Sequence, residues 1–202
     1  DARDYMEKWA RYEKGEWEGE PPERDLRLEA LADVLKGSLH PNVHGYTVGD
    51  LTTLFRIADE FSFKIRATHH SLEAYMIAEE YVKRGIYAVI FSDLWGFKHE
   101  AYYGIGEAAG ILERAGLKVC LHTDHPVIEQ RWLIHEAAKA VRYGLSEDGG
   151  YKSVTLHPAE LLGIAHRAGS LDVGKDADVA LWSGPPFEIS SKALLTIIDG
   201  EV

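Results

Sequence analysis

Between Val119 and Val127 the chain reads VCLHTDHPV, which sets His122, Asp124 and His125 at the end of an apolar run. Imidazole and carboxylate at this spacing suit a divalent-metal site, acid–base catalysis, or simply the polar loop after a buried strand. A motif this short does not separate the three, so the other histidines carry the argument. Ten are present. His44 closes the segment SLHPNVHG, His69 and His70 close FKIRATHH, and His122 with Asp124 closes LKVCLHTD. A lone histidine at a strand end is more often a hydrogen-bonded structural residue. Three such ends together shift the weight towards a site. Neutral imidazoles and a carboxylate gathered this way suit zinc, which takes nitrogen and oxygen ligands and, when catalytic, keeps one position for water. That water is acidified to a pKa of about 7, and an adjacent carboxylate can take its proton.

The elements that must position these residues alternate along the chain. Strands are expected over 38–45, 63–70, 86–92 and 117–124, and helices over 48–61, 72–85, 104–116 and 128–144. Leu51, Leu54, Phe55 and Ala58 fall on one side of the first of these helices, and glycines close the others. Four strand–helix units imply a parallel sheet with helices packed on it. In such folds the C-terminal strand ends form the active-site face, and His44, His69 or His70, His122 and Asp124 share that address. Neighbours in a strand point to opposite faces, so only one of His69 and His70 is expected to reach the site. A closed (β/α)8 barrel needs eight strands and typically ~250 residues, so four units make half of one or an open sheet.

Two helices precede the alternation. Tyr5, Trp9 and Tyr12 recur at helical spacing, and Gly15, Gly19 and Pro21–Pro22 end that helix. Asp25 is placed to cap a second helix that Gly37 closes. After the last unit, YKSVTLHPAELLGIAHRAG is expected to be helical with a proline-marked start. DADVALW and ALLTIIDG then read as antiparallel strands of a small appendage.

Bulk properties exclude other classes. A net charge of −11 argues against nucleic acid or an anionic membrane surface as partner. No apolar run approaches the ~20 residues needed to span a bilayer. The single cysteine, Cys120, permits no internal disulfide and fits a reducing, cytoplasmic setting. His40, His99, His135, His157 and His166 fall away from the strand ends and are expected to be structural or exposed. Ser92 and Asp93 close the third strand without an assigned role.

The segment VTLHPAELLGIAHRAGSLDVGKDADVALWSGPPFE, followed by IIDGEV, resembles the C-terminal signature of the amidohydrolase superfamily. In that signature a T-x-N-P-A helix start and a G-S-L-x-x-G-x-x-A-D turn lead into β-sandwich strands. LHTDHPV resembles the eighth barrel strand of the superfamily, VHGYTVGD the fifth and THHSLEAYMIAEE the sixth. Imidazolonepropionase-like members show the greatest likeness. The resemblance implies the C-terminal part of a (β/α)8 barrel over residues 1–165. Residues 166–202 would be the C-terminal strands of a composite β-sandwich.

It also implies site residues. The fifth-strand histidine falls on His44, the sixth-strand histidine on His70, with the register fixed by Glu73-Ala74-Tyr75, and the eighth-strand aspartate on Asp124. His44, His70 and Asp124 would then hold a divalent metal, zinc ahead of iron or manganese, and Asp124 would be the base that activates water. The implied reaction is hydrolysis of an amide, cyclic amide or dipeptide-like C–N bond in a small molecule. Two departures stand out. Nothing in residues 1–37 resembles the first-strand H-x-H pair, and His157 stands where the signature has asparagine. With no start methionine, the chain reads as the C-terminal half of such an enzyme. The alternative is a catalytically incomplete, metal-free half-barrel that self-associates into a homo-oligomer to cover its open edges.

Overall fold

Each strand of the main sheet is three or four residues cut from a longer expected segment, and all four run parallel. The computed structural model describes residues 1–93 and 96–202. Strand β1 (Asn42–His44) pairs with β2 (Ala67–His69), β2 with β3 (Tyr87–Ile90), and β3 with β4 (Val119–Leu121), in that spatial order. The register sets His44 opposite His69, His69 opposite Val89, and Val89 opposite Cys120. Because parallel strands in register end together, residues 44–46, 69–71, 91–93 and 122–124 all emerge from one edge.

Side-chain alternation divides the sheet into two apolar layers. Ala88, Ile90, Val119 and Leu121 face Leu51, Phe55 and Ala58 of α3 (Val48–Phe61), Tyr81 of α4 (Ala78–Arg84), Leu112 of α5 (Ala108–Arg114) and Ala137 and Ala140 of α6 (Leu133–Arg142). Ala67, Val89 and Cys120 point the other way and meet Leu161. The helical face carries the larger cluster, as expected where helices cross between parallel strands.

Local capping sets several boundaries. Asp25 accepts the amides of Arg27 and Leu28 at the start of α2 (Leu26–Lys36), and Gly37 closes that helix in the left-handed region. Thr47 and Asp50 form a capping box at the start of α3. Helix α1 (Ala2–Glu13) packs along α2, with Trp9 set between Tyr5, tilted at 6.2 Å, and Tyr12, edge-on at 5.7 Å, as the aromatic spacing predicts.

The structure departs from the sequence reading in four helices. The helix expected over 72–85 opens with a 3₁₀ turn (Ala74–Ile77), and that over 128–144 with another (Gln130–Trp132). The helix expected over 104–116 is confined to α5. The tail helix is two, α7 (Glu147–Val154) and α8 (Leu156–Leu162), broken at Thr155 with φ −131° and ψ −82°. Pro158 explains the break: it has no N–H to offer the Val154 carbonyl, and its ring clashes with that carbonyl in a continuous helix.

Helix α8 is tied to the N-terminal edge of the sheet. Arg66 donates to the carbonyls of Leu161 and Glu160 at 2.8 and 2.6 Å, and His157 Nδ1 bonds the Val119 carbonyl at 2.9 Å. Lys118 pairs with Glu160 at 2.7 Å and holds its carboxyl below the usual range. Beyond α8, β5 (Val179–Trp182) and β6 (Ala193–Ile197) form the expected antiparallel pair. Among the described residues, no helix is long and apolar enough to cross a membrane.

Candidate active site

Past the C-terminal edge of the sheet, the backbone continues to bind strand to strand before it turns. The Gly45 amide donates to the His69 carbonyl at 3.0 Å, and the His122 amide to the Ile90 carbonyl at 3.2 Å. His44 and His70 are thereby brought into ring contact, with centroids 4.4 Å apart. Tyr46, 5% exposed, stacks on His70 at 5.4 Å and meets the edge of His44 at 5.1 Å. The Glu73 amide donates to the Tyr46 carbonyl at 3.2 Å, and its carboxylate accepts the Val48 amide at 2.6 Å. The turn after β1 is therefore bonded directly to the turn after β2.

His70 lies one residue beyond β2 with φ +62°, in the left-handed region. Strand alternation no longer governs it, and both neighbouring histidines join the cluster: His69 stands 5.9 Å from His122 and His70 stands 4.8 Å from it. The expectation that only one would reach the site is corrected on this ground. His122 itself is half-buried and stacks on Phe91 at 4.1 Å, so it is no exposed loop residue. Asp124 is exposed and also left-handed, with φ +48°. Such backbone costs non-glycine residues on the order of 1–3 kcal/mol each and clusters at functional sites.

Burial pushes the imidazole of His70 down to about 4, with further lowering from His44 and an opposing pull from Asp124. Burial likewise takes His122 to about 3, with His70 and His69 adding to it. His69 is lowered by burial against an opposing pull from Asp124. At neutral pH these imidazoles are uncharged, the form that binds metals. His70 Nδ1 and His122 Nε2 are buried without a hydrogen-bond partner among the described residues. The donor chemistry therefore fits a divalent metal. Among the described residues, however, no three His, Cys, Asp or Glu side chains converge closely enough to hold one. His44 and His70 fit as part of a ligand set rather than the whole of it.

The third strand end is locked by charge. Ser92 donates its amide at 2.8 Å to Glu136, which is 1% exposed, and Lys139 bridges Glu136 (2.6 Å) and Asp93. Below the histidines, the Thr68 hydroxyl bonds both Tyr81 OH at 2.7 Å and Ser71 Oγ at 2.5 Å. A groove of about 460 Å³ opens beside His44, with Asp50 and Glu100 in its walls. Lys98, in the loop between β3 and α5, sets its ammonium 4.0 Å from the Tyr46 ring centroid. Tyr46, Glu73, Glu136 and Lys98 had no role in the sequence reading. Of these, only Glu73 carried a signal, its place in the segment that fixed the register of His70.

The remaining histidines stand apart from this cluster. His40, His99, His125 and His166 are exposed, His135 packs on Trp132, and His157 belongs to the opposite edge.

Comparison with known proteins adds the following. Residues 22–202 match the model of the amidohydrolase family. The chain is 37% identical over 180 residues to the amidohydrolase tasK of Hapsidospora irregularis, covering 87% of this chain and 18% of that protein. It is 30% identical over 92 residues to the imidazolonepropionase of Acidiphilium cryptum, covering 41% of this chain and 22% of that one. The structure matches an amidohydrolase from Thermotoga maritima with a TM-score of 0.91 and 34% identity, over 99% of this chain and 52% of that one. An adenosine deaminase from Xanthomonas campestris with bound zinc shares the fold at a TM-score of 0.65 and 18% identity, over 87% of this chain and 47% of that one. The chain thus spans about half the length of the solved structures it matches and less of the curated relatives.

Proposed function

Because the chain belongs to the amidohydrolase family, we propose that it carries part of the catalytic face of a metal-dependent hydrolase. The bond split would be an amide, cyclic-amide or dipeptide-like C–N bond in a small molecule. The observation that carries this reading is the ring contact of His44 with His70 at the strand edge that also presents Asp124. His44 and His70, with Asp124, are the residues of this chain that would hold a divalent metal. Zinc comes first, and iron or manganese are the other candidates. When bound, such an ion supplies Lewis acidity and an acidified water. Asp124 takes the proton of the attacking water at a carboxylate oxygen and returns it to the nitrogen of the leaving amine. The half-buried His69 and His122 stand beside His70 in the same ring cluster. A cytoplasmic setting belongs to the same proposal: Cys120 is a free, buried thiol pushed up to about 12 by burial, inert in a reducing compartment.

Metal analysis of the purified chain, grown with zinc supplied, tests the reading. Bound metal that is lost in His44→Ala and in His70→Ala is the expected result. Equal metal in the parent and both variants overturns the assignment.

One observation favours a second reading. Among the described residues β1 and β4 each have a single partner strand in the main sheet, and an outer strand offers unpaired N–H and C=O groups to another chain. On this reading the chain is a non-enzymatic, self-associating part of the fold. Light scattering separates the two: a metal-free dimer supports the second, and a metal-binding monomer the first.

A further inference from the structure

Some of the charges on the active-site edge are held in ion pairs. Lys139 lies between Glu136 and Asp93, and Arg131 pairs with Glu129 at 2.7 Å. Lys98 takes part in none of the ion pairs among the described residues. Its ammonium rests instead on the face of Tyr46, 4.0 Å from the ring centroid and 5.4 Å from that of Phe97. Resting on the proposed hydrolase function, we propose that Lys98 is the specificity-determining residue that recognises a carboxylate on the substrate.

Tyr46 is buried and stacked on His70, so the ring under the ammonium is fixed relative to the histidines. A cation held over an aromatic face is attracted by the ring quadrupole. None of its three N–H donors bonds another of the described residues, unlike those of an ion-paired lysine, so they can meet an anion. The whole chain carries a net charge of −11 and repels anions at a distance. An anionic substrate therefore needs a local cation at the site, and this one is oriented by a residue that touches both His44 and His70. The ligand class follows from the count. One ammonium suits a singly charged carboxylate, whereas phosphate sites gather several donors or a helix N-terminus. Glu100, two residues on, lines the groove beside His44 and makes no ion pair with Lys98 among the described residues.

The probes are N-acetylglycine and its neutral counterpart N-acetylglycinamide, titrated into the full chain and followed by histidine and tyrosine ring chemical shifts. The parent should bind the carboxylate roughly tenfold tighter than the amide, the equivalent of one charge-assisted hydrogen bond. Lys98→Met should abolish that preference, while Lys98→Arg and Glu100→Gln keep it. Equal binding of the two probes by the parent, absence of binding, or a preference that survives Lys98→Met overturns the proposal. Metal analysis of the same samples keeps the two readings apart. A parent that holds no metal yet prefers the carboxylate would sink the hydrolase assignment and leave Lys98 as an anion site.

Discussion

The carboxylate of Glu73 accepts the Val48 amide at 2.6 Å, and through that bond the first turn of α3 is fastened to the turn that carries His70. With the Glu73 amide on the Tyr46 carbonyl, the contact holds His44 and His70 at their spacing. Glu73→Ala leaves the Val48 amide without its acceptor and should destabilise the chain by about 1–3 kcal/mol, with Glu73→Gln milder. Urea unfolding gives the cost. A weakened nuclear Overhauser contact between the His44 and His70 rings would show that the spacing depends on it.

Asp124→Asn should lower hydrolysis by about 10²–10⁴-fold, the range expected when a general base is removed. The melting temperature should barely move, because Asp124 is exposed and asparagine tolerates the left-handed backbone at φ +48°. A large loss of stability would instead make Asp124 a structural residue.

Lys139→Met strands Glu136, which is 1% exposed, without its cation. Breaking such a pair from one side costs about 3–5 kcal/mol. Adding Glu136→Gln to Lys139→Met should recover part of that in the same urea assay, since no charge is then left buried. A double variant as weak as the single one would show that the pairing is not the source of the loss.

Gly110→Ala would place its new Cβ 2.4 Å from the Gly144 carbonyl oxygen, where backbone meets backbone and neither can swing aside. A destabilisation of roughly 1–3 kcal/mol is expected from the overpacking. Gly49→Ala serves as its control. There the nearest atom is 3.6 Å away, and the melting temperature should hold or rise slightly.

Stripped of metal, the chain should lose stability as the pH falls from about 6.5 towards 4 and below. His70 is lowered to about 4 and His122 to about 3 in the folded protein. Between those values and the ordinary one near 6.5, the unfolded chain binds more protons than the folded chain. Their contribution is thus fully present above pH 6.5 and is lost on acidification. Urea midpoints across this window, taken after chelation, should fall with pH, and fall less steeply in His122→Gln.

Much of the fold was legible because its signals are local. Asp25 marks a helix start by a side chain that bonds amides two and three residues on, Gly37 marks its end by left-handed backbone, and α3 spans 48–61 as expected. Strand length was not legible: the segment 63–70 alternates Phe63, Ile65 and Ala67 with polar residues over most of its length, yet only Ala67–His69 finds partners on both sides. The break at Thr155 required weighing Pro158 against the whole helical pattern. At the site, the gathering of His44, His70, His122 and Asp124 at one edge was visible from their shared position at strand ends. Glu136 and Lys98 were not, because a single charge in a helix or loop has no period, and the strand-end groups they meet, Ser92 and Tyr46, lie tens of residues away.

The ties between α8 and the N-terminal edge of the sheet bear on how this architecture can diversify. Arg66, Lys118, Glu160 and His157 fasten the sheet at the end opposite the histidines. Substitutions in the turns beyond residues 44, 69 and 121 leave that foundation untouched. Variation in the exposed parts of those turns therefore need not disturb the end of the sheet that these ties hold.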